Sequence, residues 1–204
     1  SLSHGGQVLS KGSYVNVFKP EYKGTVIGTA DAWKQGTAQT SADGHSVTLS
    51  ADLPGGKLLY EAALEESGVR LTLRVTPAAG TETGPVEYAI AQIPVEVLTG
   101  GTIEVANVAG SVTSRVSIPD TAANGGLAPA GPVLTFKTAQ RNLTFEAADF
   151  GTVYPLDARH ERYGSRQGIW PFAAPGVRPG EETVAVYTVR VTPPTPPRQV
   201  GKIT

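Results

Sequence analysis

Apolar residues recur at every second position along most of this 204-residue chain, and hardly anywhere at every third or fourth. A side-chain period of two is the signature of a strand with one face on a core and the other in water. In Val69-Arg70-Leu71-Thr72-Leu73-Arg74-Val75 every odd position is apolar and every even one polar. Ala185, Tyr187, Val189 and Val191 repeat the pattern near the end, and shorter runs occupy Tyr14–Phe18, Thr25–Ala30, Ser46–Ala51, Val86–Val97, Thr102–Val108, Ser111–Ile118, Val133–Lys137, Arg141–Ala147 and Gly151–Tyr154. Lys57–Glu66 is rich in the helix formers Leu, Ala and Glu, yet Leu58, Tyr60, Ala62 and Leu64 alternate, so a strand running into a hairpin at Glu65–Gly68 is expected. Pro94 removes a ladder donor and predicts an edge or a bulge in its run.

Turn chemistry falls between these runs: Asp43-Gly44, Pro54-Gly55-Gly56, Gly84-Pro85, Gly100-Gly101, Asn124-Gly125-Gly126 and Pro179-Gly180. Two longer breaks, Pro77–Pro85 and Pro119–Pro132, hold mostly small residues and read as surface loops. Short strands, frequent turns and no crossover helices predict an all-β fold, a two-sheet antiparallel β-sandwich or its supersandwich variant, with roughly a dozen strands and little or no helix. A barrel is the alternative architecture. At this length one core suffices, so residues 1–192 are expected as one sandwich domain. Residues 193–204, opening with Pro193-Pro194-Thr195-Pro196-Pro197, are expected as a stiff tail or linker to a neighbouring module.

Charged residues make up only 17 % and the net charge is −1. That balance supplies no basic footprint for nucleic acid or an anionic membrane, and it suits a secreted or extracellular β-protein. The chain has no cysteine, which excludes disulfides, a thiolate nucleophile and cysteine-based zinc sites. It has no methionine either, which points to a cleaved precursor or a module of something longer. His4, His45 and His160 show neither H-x-H nor H-E-x-x-H spacing, so no cofactor is expected, with a structural calcium held by loop oxygens left open. No nucleotide-binding glycine motif or G-x-S-x-G elbow is present.

The segment Phe150–Phe172 stands apart. Five of the fourteen aromatics and three of the ten arginines lie in these 23 residues, which makes it the best candidate for a site on an otherwise plain scaffold. It reads as the longest polar connection. Sugar recognition needs flat apolar faces for the C–H side of a pyranose and groups that exchange hydrogen bonds with its hydroxyls. Tyr154, Tyr163 and Trp170 supply the first; Asp157, Arg159, His160, Arg162, Arg166 and Gln167 supply the second, and the arginine forks also suit carboxylates or sulfates. The structural alternative is that Asp157 and Glu161 pair with the arginines while Tyr163, Trp170 and Phe172 cap the core. A second aromatic group, Tyr14, Phe18, Tyr22 and Trp33, lies near the N-terminus. Trp33 is a secondary candidate, because a lone Trp in a sandwich more often packs than binds.

Three functions follow as expectations. The first is non-catalytic polysaccharide binding. The second is a polysaccharide-degrading enzyme: a glycoside hydrolase using a carboxylate pair drawn from Asp149, Asp157 and Glu161, or a lyase using His160 and Tyr163 for proton transfer beside Arg159 and Arg166. The third is a structural spacer of a surface protein.

The closing pattern Arg178-Pro179-Gly180-Glu181-Glu182-Thr183 followed by Val184–Val191, together with the hairpin Tyr60–Val75, resembles β-sandwich domains appended to bacterial carbohydrate-active enzymes. The resemblance implies a carbohydrate-binding module or a galactose-mutarotase-like supersandwich. The catalytic His pair and Glu of the latter family have no counterpart here, and the resemblance implies no catalytic residue.

Overall fold

The computed structural model describes residues 1–66, 68–149, 151–163 and 166–194. Phe150 and the tail from Thr195 onward lie outside them. Two antiparallel sheets stack as a sandwich, and all named strand pairs are antiparallel. The larger sheet runs, in spatial order, Val112–Ser117, Thr102–Ala106, Val133–Lys137, Asn142–Ala147, Thr183–Thr192, Gly68–Pro77, Gly56–Glu65, Ser46–Leu53, Thr37–Thr40. The smaller runs Gly125–Gly126, Tyr154–Asp157, Gly168–Ala173, Val86–Ala89, Tyr14–Phe18, Thr25–Gly28, with the two-residue strand Ile93–Pro94 also paired to Gly168–Ala173. A separate hairpin joins Leu2–His4 to Gln7–Ser10. The described residues hold eighteen strands, several only two to four residues long, where the alternation alone suggested about twelve.

The core lies between the sheets. Leu73, Leu134, Phe136, Phe145, Tyr88, Ile103 and Ile169 are among its buried members. Phe136 and Phe145 meet edge to face, with centroids 6.0 Å apart and planes at 88°. Away from this core the larger sheet carries ion pairs. Glu104, only 7 % exposed, accepts from Arg115 at 2.7 Å and from Lys137 at 2.6 Å, and Glu146 pairs with Arg190.

Four sequence expectations need correction. Thr25–Ala30 is a strand only to Gly28, because Thr29–Gln35 forms a helix with Asp31 in its first turn and Lys34 in its last, matching the helix dipole. Seven residues are too few to show a helical period. Gly36 ends that helix where a Cβ would lie 2.3 Å from the Ser50 carbonyl oxygen. The run Val86–Val97 breaks into Val86–Ala89, Ile93–Pro94 and the short helix Val95–Leu98, with Pro94 as the extended residue before the helix. Phe150–Phe172 is not one long connection: it contains two neighbouring strands, Tyr154–Asp157 and Gly168–Ala173. Finally, the break after Pro119 is not a free surface loop, since Gly125–Gly126 joins the smaller sheet.

Phe145→Ala removes one ring of the fully buried edge-to-face pair and is expected to cost about 3–5 kcal/mol, or about 2–4 °C of melting temperature per kcal/mol at this size. Val108→Ala, at a residue 88 % exposed, should leave the thermal midpoint unchanged in the same differential scanning calorimetry.

Candidate functional site

In an ordinary two-sheet sandwich the face turned away from the core is polar. The smaller sheet breaks this rule. Val15, Val17, Tyr88, Ile169 and Ala173 point into the main core, so their alternate neighbours Tyr14, Ala89, Trp170 and Phe172 occupy the opposite face. There they form a second apolar cluster with Leu156, Ala158, Tyr154 and Tyr163. One rung of the ladder crosses four strands: Tyr154 opposite Phe172, Phe172 opposite Ala89, Ala89 opposite Tyr14. Three strand spacings make this rung roughly 14 Å long. The small side chain of Ala89 leaves room for the Trp170 edge to meet Tyr14, at 5.9 Å and 83°. Tyr154 tilts over Phe172 at 5.5 Å. Trp170 and Phe172 are buried beneath while Tyr14, Tyr154 and Tyr163 stay half-buried and form the surface.

Polar groups stand around this surface. Glu87 stands beside the Tyr14 hydroxyl, and burial raises its carboxyl against the opposing pull of that hydroxyl. Burial and the nearby Glu87 charge push the Tyr14 hydroxyl upward, while Arg166 pulls it back. Burial, then Tyr163, Glu87 and Tyr22, raise Tyr154 to about 12, so its hydroxyl keeps its proton at neutral pH. Asn16 lies opposite Glu87 in the register. Tyr22 is 56 % exposed and tilts against Phe18 at 5.0 Å. It and Glu21 hold left-handed backbone, φ 58° and 56°, a conformation costing about 1–3 kcal/mol outside glycine and concentrated at binding sites.

The expected site residues therefore divide. Tyr154, Tyr163 and Arg166 gather on the outer face, and Arg162 stands 5.9 Å over the Tyr163 ring. Gln167 is exposed beside them in sequence. Trp170 supports the surface from below. His160 accepts the Arg162 N–H through Nδ1 at 3.2 Å, in the short turn Glu161–Tyr163 where Glu161 is exposed. Asp157 and Arg159 go elsewhere. Asp157 is fully buried, and Arg159 grips it with two bonds of 2.8 Å while also donating to the carbonyls of Pro119, Asp120 and Thr121 at 2.9, 3.4 and 3.3 Å. The Ala123 N–H donates to the same carboxylate at 2.8 Å. This pair fastens the 119–123 segment to the sheet, which takes Asp157 out of any catalytic carboxylate pair and leaves Arg159 no free fork for a ligand.

Trp33 contradicts the packing expectation: it is 58 % exposed on the helix Thr29–Gln35. Among the described residues no group of three or more His, Asp or Glu side chains is placed to hold a metal. No described helix is long and apolar enough to cross a membrane. Sequence reasoning missed Glu87, Tyr14 and Tyr22 as parts of the same surface. The signal available was the aromatic alternation Tyr14-x-Asn16-x-Phe18, polar or aromatic on the face opposite Val15 and Val17.

No protein-family model and no curated protein matches this chain. Among solved structures it is similar to a putative aldose 1-epimerase from Escherichia coli K12, with 13 % identity and a TM-score of 0.49 over 78 % of this chain and 68 % of that one. The resemblance to appended carbohydrate-binding modules is thereby corrected: this solved structure is described as a putative aldose 1-epimerase, not as such a module. Likeness at this level gives no residue of this chain a role.

Burial by itself would raise the Asp157 carboxyl, but the Arg159 side chain and the N–H groups of Ala123 and Arg159 outweigh it and hold the group below the usual carboxylate range. A depressed folded pKa gives stability that is present above the unfolded value of about 3.9 and is lost as pH falls through the folded one. Asp157→Asn leaves Arg159 an uncompensated, nearly buried charge, expected to cost about 3–5 kcal/mol at pH 7. In urea titrations the gap from the unmodified protein should close as the pH is taken below 4, by about the full loss of the carboxylate's advantage.

Proposed function

We propose that this protein binds an oligo- or polysaccharide chain on the outer face of its smaller sheet, without acting on it. One observation carries the reading: a face that a sandwich would normally leave polar holds an aromatic rung from Tyr154 to Tyr14, bordered by Glu87, Arg166 and Tyr22. Half-buried tyrosines offer flat apolar area at little side-chain entropy cost, and their protonated hydroxyls donate to sugar oxygens. Glu87 accepts from sugar hydroxyls, and Arg166 and Arg162 supply fixed donors. The length of the rung favours several sugar rings over one. The arginines favour a chain that carries carboxylates or sulfates.

Binding is measured by affinity gel electrophoresis against neutral and acidic polysaccharides. Tyr163→Ala and Tyr154→Ala are each expected to weaken retention about tenfold, near 1.4 kcal/mol, while Arg74→Ala on the ion-paired face of the larger sheet changes nothing. Retention that survives both tyrosine variants in folded protein contradicts the proposal.

Glu87 gives a second test. Its folded pKa is raised, so its stabilising contribution is full below the unfolded value of about 4.3 and is lost as pH rises through the folded one. Glu87→Gln is therefore expected to melt higher than the unmodified protein at pH 7 and equally at pH 3, while binding glycan less well. Loss of stability at pH 7 would show that the carboxylate serves packing, not a ligand.

A further inference from the structure

At the end of the sandwich where Tyr14 begins its strand, the two sheets part and enclose a cleft of about 720 Å³. Its two walls differ. The larger sheet contributes Leu49, Ala62 and Leu71, with Tyr60 as its one aromatic carrying a hydroxyl. The facing wall sets the polar Ser13 and Gln92 beside the apolar Ile90 and Ala91. Behind Ser13 and Tyr60 sits Tyr88, fully buried, with its hydroxyl making no hydrogen bond of ordinary geometry. A buried hydroxyl without a partner lowers stability, and this one lies directly behind the lining. Trp33 stands at the mouth with 58 % of its surface exposed, beside the exposed Leu64 and Val47.

The charged side chains of the lining, Lys11 and His45, are exposed at the rim. The interior thus offers no counter-charge, and an ion brought there would lose its hydration without compensation. Sheets packed about 10 Å apart leave a space that is wide and shallow. We infer that this cleft is a second ligand site, adjoining the aromatic outer face at Tyr14 but not including Tyr154 or Tyr163, and that it takes an uncharged flat or alicyclic molecule carrying one hydroxyl or carbonyl, its body against the Leu49–Ala62–Leu71 wall and its polar atom toward Ser13 and Tyr60. The Trp33 indole closes over the exposed edge of the ligand.

The test uses 2-naphthol and 2-naphthoate as probes in isothermal titration calorimetry on the full chain. 2-Naphthol is expected to bind saturably and at least about tenfold more tightly than 2-naphthoate, near 1.4 kcal/mol. Ala62→Phe, which fills the cleft, and Trp33→Ala, at an exposed position outside the core, should each weaken 2-naphthol about fivefold or more, while Tyr163→Ala should not. Because Tyr163→Ala tests the outer face alone, failure of the glycan reading leaves this result untouched, and the converse holds. No saturable binding of 2-naphthol, equal affinity for the two probes, or affinity unchanged in both Ala62→Phe and Trp33→Ala would overturn the inference.

Discussion

A strand shows its side chains to two faces in strict alternation, and in the smaller sheet of this protein both faces are apolar. The inner one closes the main core through Val15, Tyr88 and Ile169; the outer one carries Tyr14, Trp170 and Phe172. Everything distinctive about the molecule follows from this doubled burial. The larger sheet obeys the usual rule, with Glu104, Arg115, Lys137, Glu146 and Arg190 paired across its outer face. The two outer surfaces are therefore chemically opposite, one an ionic ladder that satisfies itself and the other an aromatic surface with hydroxyls and a carboxylate at its borders.

The aromatic surface depends on a rigid margin. Strands Tyr154–Asp157 and Gly168–Ala173 place Pro155 opposite Pro171, so neither residue can donate to the ladder, and the neighbouring chain compensates by donating to their carbonyls from Leu127 and Ile90 at 2.8 and 2.9 Å. Next to this point the Asp157–Arg159 pair holds the 119–123 segment through four hydrogen bonds of 2.8–3.4 Å, three from the Arg159 guanidinium to the carbonyls of Pro119, Asp120 and Thr121 and one from the Ala123 N–H to the Asp157 carboxylate. A charge pair this deeply placed gains its value from geometry and from the extra carbonyls it satisfies. It fixes the edge of the sheet beside Arg162 and Tyr163.

Much of the fold was legible. Tyr14–Phe18 and Val133–Lys137 coincide with their alternating runs, and Lys57–Glu66 proved a strand despite its helix formers, because Leu58, Tyr60 and Ala62 needed one face. The site was legible as a region and less so as a geometry. Gly168–Ala173 is buried on both faces, so its alternation of Trp170, Pro171 and Phe172 carried no polar contrast to read. Asp157 and Arg159 looked like ligand groups because their residue types are the same for a sugar site and for a loop clamp; only burial tells them apart. That Tyr14 and Tyr22 would join Tyr154 and Tyr163 depended on strand order, which brings Tyr14–Phe18 and Gly168–Ala173, distant in sequence, to either side of Val86–Ala89 and leaves no mark in local sequence.

The most direct test of the central claim is a nuclear magnetic resonance titration of isotope-labelled protein with acidic and neutral oligosaccharides, following backbone amides and tyrosine ring signals together. The account predicts saturable shifts confined to Tyr14–Tyr22, Glu87, Tyr154 and Tyr163–Gln167, with the outer face of the larger sheet silent. Shifts centred on Glu104, Arg115 and Arg190 instead, or no shifts with any saccharide, would contradict it.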